Sequence, residues 1–453
     1  MEMIQIEQRI EQINEVIERV GLEGAVELLA DLHPADRAEV FFNLDEGLQD
    51  LLIERFTDPI AAEILEELSD QDAADTAEKL STDRLADVLD EMDPDEAADV
   101  LGDLSPVRAA LALAEMEEAE EVIPLLSHPD ETAGGLMTTS YVALRRRTTA
   151  AQAIDFLREI SPETETPYYL YVVDRYGKLI GIIGLRDLIV ADPDEAVEDF
   201  MEPEVAHVLA GADQEDAARQ MAHYDLAAMP VVNENGVLQG VITHDDVIDV
   251  LEEEATEDVL NLAGIEASTI SNRPYWSLRI TEIVRARFVW LLVLFVGQTL
   301  TTTVLRSFET EMQAAVSLTF FVPLLIGTGG NAGAQTVTTV IRAIALDEVR
   351  ARDFLQVLGR ELRTGVLLGL LLSFVAFGWV LLSGLDSPLA LVVSITVFAI
   401  TVWANLVGSV IPILATKFGV DPTVMSAPLI STLVDATGLL IYFSVAIYVL
   451  SRI

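Results

Sequence analysis

The chain has 453 residues, a formal net charge of -48, 51% hydrophobic residues and no cysteine. That length is too great for a single domain and suggests about three, and a chain without cysteine has neither disulfides nor thiolate metal sites. The charge is uneven: residues 1–270 hold 15 Lys and Arg against 65 Asp and Glu (net -50), and residues 271–453 hold 12 against 10 (net +2). A strongly acidic half that repels nucleic acid and attracts cations therefore precedes a nearly neutral, apolar half. The five histidines, at 33, 128, 207, 223 and 244, are scattered without ligand spacing, which argues against a zinc or copper site. Lysine is rare, 3 against 24 arginines. Such acidity suits either a high-salt cytoplasm or a cation-binding role, and both stay open here.

The opening MEMIQIEQRIEQ has no basic start and no apolar core of a signal peptide, so the acidic half is expected in the cytoplasm. Residues 20–116 repeat. Leu44, Phe56, Leu68, Leu80, Met92, Leu104 and Met116 stand twelve positions apart, closing units such as TDPIAAEILEEL and DPDEAADVLGDL. Each unit opens on Ser, Thr or Asp, often followed by Pro (Pro34, Pro59, Pro94, Pro106), an N-cap and first-turn pattern. Short helices at a fixed period predict a stacked superhelical array whose outer face is rich in carboxylates.

Residues 137–250 carry a pseudo-repeat. YLYVVDRYGKLIGIIGLRDLI is matched by AAMPVVNENGVLQGVITHDDVI, each reading as strand, tight turn, strand and helix start, with Asp187 and Asp246 in equivalent places 59 residues apart. An amphipathic helix precedes each copy. This alternation resembles a pair of CBS domains. The resemblance implies that Asp187 or Asp246 contacts a nucleotide ribose, and Tyr169 and Arg186 make the first copy the better candidate for ATP or another adenosine nucleotide. The alternative is that both aspartates simply cap helices.

Residues 245–265 have apolar positions at 247, 248, 251, 255, 259 and 260, a long helix with acids on its other face. Five apolar spans follow, near 288–305, 314–344, 362–384, 389–415 and 426–450, each long enough for a roughly 30 Å hydrocarbon core. Arg273, Arg279, Arg285, Arg287, Arg342, Arg350, Arg352, Arg360, Arg363 and Lys417 fall on the flanks that are inner if the N-terminus is inside, as the positive-inside rule requires.

Two spans are unexpectedly polar. The stretch PLLIGTGGNAGAQT at 323–336 puts Gly329, Gly330, Asn331, Gly333 and Gln335 at mid-span. Backbone-breaking sequence of this kind is tolerated in a bilayer only where it is buried in protein or lines a water-filled path. A glycine packing seam explains the glycines but not Asn331 or Gln335. In the last span Asp435 lies about nine residues in, roughly 14 Å deep. An acid there costs about 2.5–3.5 kcal/mol on insertion scales and so should face a pore or cavity. Asp421 opens the same span as an N-cap, and also as a candidate cation ligand at the pore mouth.

These motifs together resemble the MgtE family of magnesium channels: ETAGGLMTTSYVAL at the entry to the CBS pair, EEATED at 253–258, PLLIGTGGNAGAQT, and DPTVMSAPLISTLVDATGLLIY at 421–442. The resemblance implies a homodimer in the bilayer of the cell inner (plasma) membrane, with cytoplasmic N-terminal domains. It implies a pore where Asp435 of each subunit binds hydrated Mg²⁺, helped by Asn331, and an acidic plug helix carrying Glu254, Glu257 and Asp258. Asp246, Asp249, Glu215 and Asp225 would contribute further cation ligands, with Asp58 and Asp90 as candidate partners in the helical repeat. The expected fold is multidomain. It comprises an α-helical superhelical repeat (1–129), α/β tandem CBS domains (130–199 and 200–250), a connecting plug helix (251–275) and a five-helix α transmembrane domain (276–453). The expected function is Mg²⁺ uptake, closed by cytoplasmic Mg²⁺. The alternatives are an ion-coupled divalent-cation carrier or exporter, or a non-conducting membrane-anchored sensor. No nucleophile–base pair or phosphate loop supports an enzyme, and no nucleic-acid partner is expected.

Overall fold

The computed structural model describes residues 3–160, 169–267, 270, 275, 278–346 and 348–450. Arg273, among the basic flanking residues, lies outside them. Contacts divide the chain into two units, Met1–Glu252 and Glu253–Ile453.

The first unit opens with α1 (Met3–Val20). Eight short helices follow: α2 (Leu22–Ala30), α3 (Pro34–Phe42), α4 (Glu46–Ile53), α5 (Asp58–Glu66), α6 (Asp70–Ala77), α7 (Thr82–Leu89), α8 (Pro94–Asp103) and α9 (Pro106–Glu115). Their first residues keep the twelve-residue period throughout. Asp45, Thr57, Ser69, Ser81 and Asp93 precede α4 to α8 in extended conformation, and a proline opens the first turn of α3, α5, α8 and α9. Helices of 8 to 10 residues are marginal alone and depend on packing. The packing skips one neighbour, α3 on α5, α5 on α7, α7 on α9 and α6 on α8, so one superhelical turn takes two helices. Phe56, Leu80, Met92 and Leu104 fill the shared core.

The sequence reading did not foresee how the turns are tied. Arg84 donates to the Ile53 carbonyl (3.3 Å) and to that of Phe56; Arg108, 24 residues on, donates to Ala77 (3.2 Å) and Leu80 in the same way. Each guanidinium satisfies carbonyls that a helix C-terminus leaves unpaired, and its charge suits the negative end of the dipole.

After α10 (Ala119–Val122) come two three-stranded sheets of the same topology. In the first, β1 (Ala143–Arg145) runs parallel to β2 (Tyr169–Val173), which is antiparallel to β3 (Leu179–Gly184). In the second, β4 (Val208–Leu209), β5 (Ala228–Val232) and β6 (Leu238–Thr243) repeat the arrangement. The hairpin turns need positive φ at Gly177 (80°) and Gly236 (76°), and they meet: Leu179 N–H donates to Gly236 O (3.0 Å) and Leu238 N–H to Gly177 O (3.1 Å). Around the sheets lie α11 (Ala150–Ile160), α12 (Leu185–Val190), α13 (Val197–Phe200), α14 (Gln214–Tyr224) and α15 (His244–Leu262), the last running from the first unit into the second.

The second unit contains α16 (Ile280–Ser307), α17 (Glu309–Ala314), α18 (Val322–Ala345), α19 (Phe354–Leu382), α20 (Ser387–Lys417) and α21 (Ala427–Leu450). Among the described residues five helices are long and apolar enough to cross a membrane, all of these but the short α17. Through the glycine-rich stretch α18 is one continuous helix of 24 residues, the arrangement a glycine packing seam requires. Its glycines stay helical because neighbours occupy the space a side chain would take. A Cβ at Gly329 would lie 2.6 Å from Ile400 Cγ2 and 2.9 Å from Val434 Cγ1; one at Gly333 would lie 3.1 Å from Ile430 Cγ2. The hydroxyls of Thr328 and Thr339 return to their own helix's carbonyls (2.7 and 2.8 Å) and so expose no unpaired polar group. Close packing on α20 and α21 offsets the roughly 1 kcal/mol that each helical glycine costs relative to alanine.

Candidate cation sites in the membrane core and the acidic domain

In the second unit, the buried stripe of α18 is Gly329, Gly330, Gly333, Thr336, Val337 and Val340, at helical spacing. Asn331, Gln335 and Thr338 lie on the opposite, exposed side. The seam delivers the backbone of Gly330 to α21, where an added Cβ would stand 2.3 Å from Ser431 Oγ and 3.5 Å from Asp435 Oδ1. Asp435 is 8% exposed, and its Oδ1 has no hydrogen-bond partner among the described residues. A carboxylate held so, against glycine backbone and without a cationic side chain in an ion pair, has its charge available to a diffusible cation.

Asp421 caps the short turn before α21. Its carboxylate accepts from Thr423 N–H (2.8 Å) and Thr423 Oγ1–H (2.5 Å). Asn261, in the last turn of α15, donates from Nδ2 to Glu257 Oε1 (3.0 Å) and at 3.5 Å to Thr423 Oγ1. Glu257 and Asp421 are thus joined through Asn261 and Thr423. Glu254 and Asp258 are half-buried on the same helix.

In the first unit the structure brings Asp246 to acids that the sequence reading missed. Burial, reinforced by Asp246, pushes Asp95 up to about 8, and burial with Asp70 and Asp95 pushes Asp99 up to about 8. Glu96, between them, is raised well above its ordinary range by burial and by Asp95, Asp99 and Asp246. Burial lifts Asp246 to about 6 against the lowering bonds from Thr243, and raises Asp249, helped by Glu252 and Asp245. Burial also lifts Glu66 to about 7, and Glu67 is raised by burial and partly by Asp249. Asp95 Oδ1 is buried without a hydrogen-bond partner among the described residues. Among the described residues no three carboxylate or imidazole groups are positioned to hold one metal ion between them.

The two acids first considered in the repeat are engaged elsewhere. Asp58 pairs with Arg84 at 3.6 Å, and Asp90 accepts the backbone N–H of Glu117 (2.9 Å) and Glu118 (3.0 Å). Among the described residues neither acts on Asp246 in the way that Asp95 and Glu96 do. The missed signal was the spacing of Asp95 and Asp99, four apart in a unit without a basic residue, which puts both acids on one face of α8. Glu215 pairs with Arg219, and Asp225 ends α14 in the left-handed conformation (φ 52°).

The two CBS-like copies differ at their aspartates. Asp187 and Arg186 are exposed at the start of α12, and Tyr169 sits directly across the strand pair from Gly184, the residue before that helix. In the second copy Thr243 replaces that glycine, and both its N–H and its hydroxyl bond Asp246.

Comparison with known proteins gives the family of each domain. Residues 322–445 match the family described as divalent cation transporter, residues 8–84 and 32–131 the MgtE intracellular N domain, and residues 133–194 and 197–253 the CBS domain. The magnesium transporter MgtE of Thermus thermophilus is 45% identical over 327 residues, 72% of each chain. The chain belongs to the MgtE family of magnesium transporters. The MgtE of Bacillus subtilis is 35% identical over 335 residues, 73% of this chain and 72% of that one. Among solved structures, the soluble part of a magnesium transporter aligns with TM-score 0.50 and 34% identity over 55% of this chain and 99% of its own. The cytosolic domain of the Mg²⁺ channel MgtE in complex with ATP aligns with TM-score 0.50 and 37% identity over 52% and 98%. The helical N-terminal domain, the CBS pair and the five membrane helices are those of this family, and its members are transporters rather than enzymes.

Proposed function

We propose that the chain is one subunit of a homodimeric, Mg²⁺-selective channel in the inner membrane, with both N-terminal domains in the cytoplasm. The observation that carries this reading is the buried Asp435 carboxylate against Gly330. Mg²⁺ favours octahedral oxygen coordination and sheds water reluctantly. Asp435 from each of two copies would hold the hydrated ion by charge, with Asn331 on the exposed side of α18 available for hydrogen bonds to its water. An uncharged polar stripe of Asn331, Gln335 and Thr338 suits a water-filled path better than lipid.

Gating in this reading comes from the acids. Two carboxylates about 6 Å apart repel by roughly 3 kcal/mol at an effective dielectric near 20. Asp95 and Glu96 on α8 near Asp246, with Asp99 beside Asp70 and Asp95, add several such terms, so the first unit stays loose until cytoplasmic Mg²⁺ neutralises them. Moving a two-state equilibrium from mostly open to mostly closed takes about 5.5 kcal/mol of differential binding, within reach of two or three weakly held ions. Asp249, Glu215 and Asp225 are further ligands in the first unit, and in the second the α15 acids Glu254, Glu257 and Asp258, with Asp421, form a separate set of candidate cation ligands.

The deciding experiment is Mg²⁺ influx into proteoliposomes with no other ion gradient, at low and at millimolar Mg²⁺ on the cytoplasmic face. Passive flux at low Mg²⁺ that stops at millimolar Mg²⁺ is expected. Flux that needs a coupling ion would put a carrier in place of the channel, and no flux under any gradient would leave only a sensor.

A nucleotide belongs to the first CBS copy in this reading. Exposed Arg186 and Asp187, across from Tyr169, fit an adenosine nucleotide: an aromatic face, a cation for phosphate and an acceptor for ribose hydroxyls. Asp246 is committed to Thr243 and to the acidic cluster. Asp187→Ala is therefore expected to weaken ATP binding about tenfold, the cost of one charge-assisted hydrogen bond, in calorimetric titration of the full chain. Unchanged affinity would remove Asp187 from the site.

A further inference from the structure

The stripe that packs α18 into the bundle contains a polar contact that close packing alone does not require. Thr336 Oγ1 lies 3.0 Å from Asn405 Oδ1 on α20 and 3.0 Å from its own helix's Ala332 carbonyl. Asn405 Nδ2 donates to Thr401 O at 2.8 Å. Both side chains are buried, Asn405 to 2% exposure and Thr336 to 6%. Glycines on two helices clear the space around them. A Cβ at Gly365 of α19 would meet Asn405 Cβ at 3.1 Å, and one at Gly408 of α20 would meet the Gly333 carbonyl at 2.9 Å and Thr336 Cβ at 3.1 Å. Leucine or valine would fill such a position without the cost of burying an amide.

A polar pair at one buried position earns its place by specifying register. Successive residues of a helix are about 100° apart, so turning α18 by one residue would set Val337 against Asn405 in place of Thr336. The Asn405 carbonyl oxygen would then be buried with no donor. The same turn would carry Asn331 and Gln335 away from the side they now face. We propose that Asn405 and Thr336 are positioning residues that lock the rotation of α18, and that this lock sets the transporter's preference for Mg²⁺ over other divalent cations. The inference rests on the reading that the exposed stripe of α18 lines the permeation path.

The test compares Mg²⁺ and Ca²⁺ influx into proteoliposomes of the full chain, with the thermal unfolding midpoint measured on each preparation. Thr336→Val keeps the shape and removes the donor. It and Asn405→Leu are each expected to lower the Mg²⁺-to-Ca²⁺ ratio about tenfold, the scale of one buried polar group left unpaired. Thr336→Ser keeps the hydroxyl and retains the wild-type ratio. The double variant is no worse than the more affected single one, because both remove the same contact. A ratio unchanged in a folded Thr336→Val protein overturns the lock. So does a proportional loss of both fluxes that tracks the fall in unfolding midpoint, which is what a purely structural pair would give. Asn331→Ala and Asp435→Asn separate the two levels: if neither alters flux or ratio, the underlying reading of the path fails, and the lock with it.

Discussion

Replacing Asp435 by alanine is expected to abolish Mg²⁺ flux in proteoliposomes while leaving the protein folded and in the membrane. A divalent ion about 5 Å from one carboxylate gains roughly 6–7 kcal/mol at an effective dielectric of 20, and even a third of this is more than tenfold in occupancy. Within α18 and α21 no other group supplies that charge: Asp435 is the only acidic residue of α21, and the exposed stripe of α18 is polar but uncharged. Asp435→Asn keeps the shape and loses the charge, so it too should lose flux, whereas a variant that only disturbed packing would recover. Gly330→Ala makes the geometric case independently. Its Cβ would fall 2.3 Å from Ser431 Oγ, turning that hydroxyl away, and would stand a methyl 3.5 Å from Asp435 Oδ1, so flux should drop although Asp435 is intact. Wild-type flux from the alanine variant at position 435 would take the ion path away from this residue.

The second large effect is on the acidic domain. Without Mg²⁺, the contact between α8 and Asp246 should hold at pH 5 and open as pH rises through 6 to 8. The sign follows from the shifts. The folded-state values of Asp95 and Asp99 are raised to about 8 and that of Asp246 to about 6, above the ordinary value of 3.8. Stability from such groups is fully present below the ordinary value and is lost as pH rises through the raised ones. For Asp95 alone the loss is on the order of 5 kcal/mol once pH exceeds the raised value, enough to separate packed elements. Millimolar Mg²⁺ should restore the contact at pH 8 by neutralising the same charges. Limited proteolysis of the full chain across this range, with and without Mg²⁺, reads the transition. The Asp95→Asn, Asp99→Asn double variant should be protected at every pH and indifferent to Mg²⁺. Wild-type protein cut equally at pH 5 and pH 8.5 would be incompatible with this account.

Much of this molecule was legible as sequence because its signals are local. A twelve-residue period, caps and prolines specify short stacked helices through backbone chemistry within each unit, and the helices duly begin at every twelfth residue. Five apolar spans follow from length and hydropathy. The sequence also singled out Asp435, because an acid in an apolar span is anomalous whatever surrounds it. Sequence alone, however, left open whether the glycines of 323–336 interrupt the helix or form a packing seam. Whether a glycine breaks a helix or packs it depends on what stands opposite, and Ile400, Ile430 and Val434 lie between 67 and 105 residues further along the chain.

The same distinction separates Asp58 and Asp90 from Asp95 and Asp99. In a repeat with an acid at most surface positions, no local rule says which carboxylates will lose their water. Only the tertiary fold of the first unit buries Asp95 near Asp246, while Arg84 and the backbone of Glu117 and Glu118 engage the other two. The Thr336–Asn405 contact, 69 residues apart, is of this kind as well. The sequence by itself determined the elements, their order and the residues whose chemistry is out of place. The tertiary structure decided which charges meet, because desolvation and repulsion depend on distances that separation along the chain does not encode.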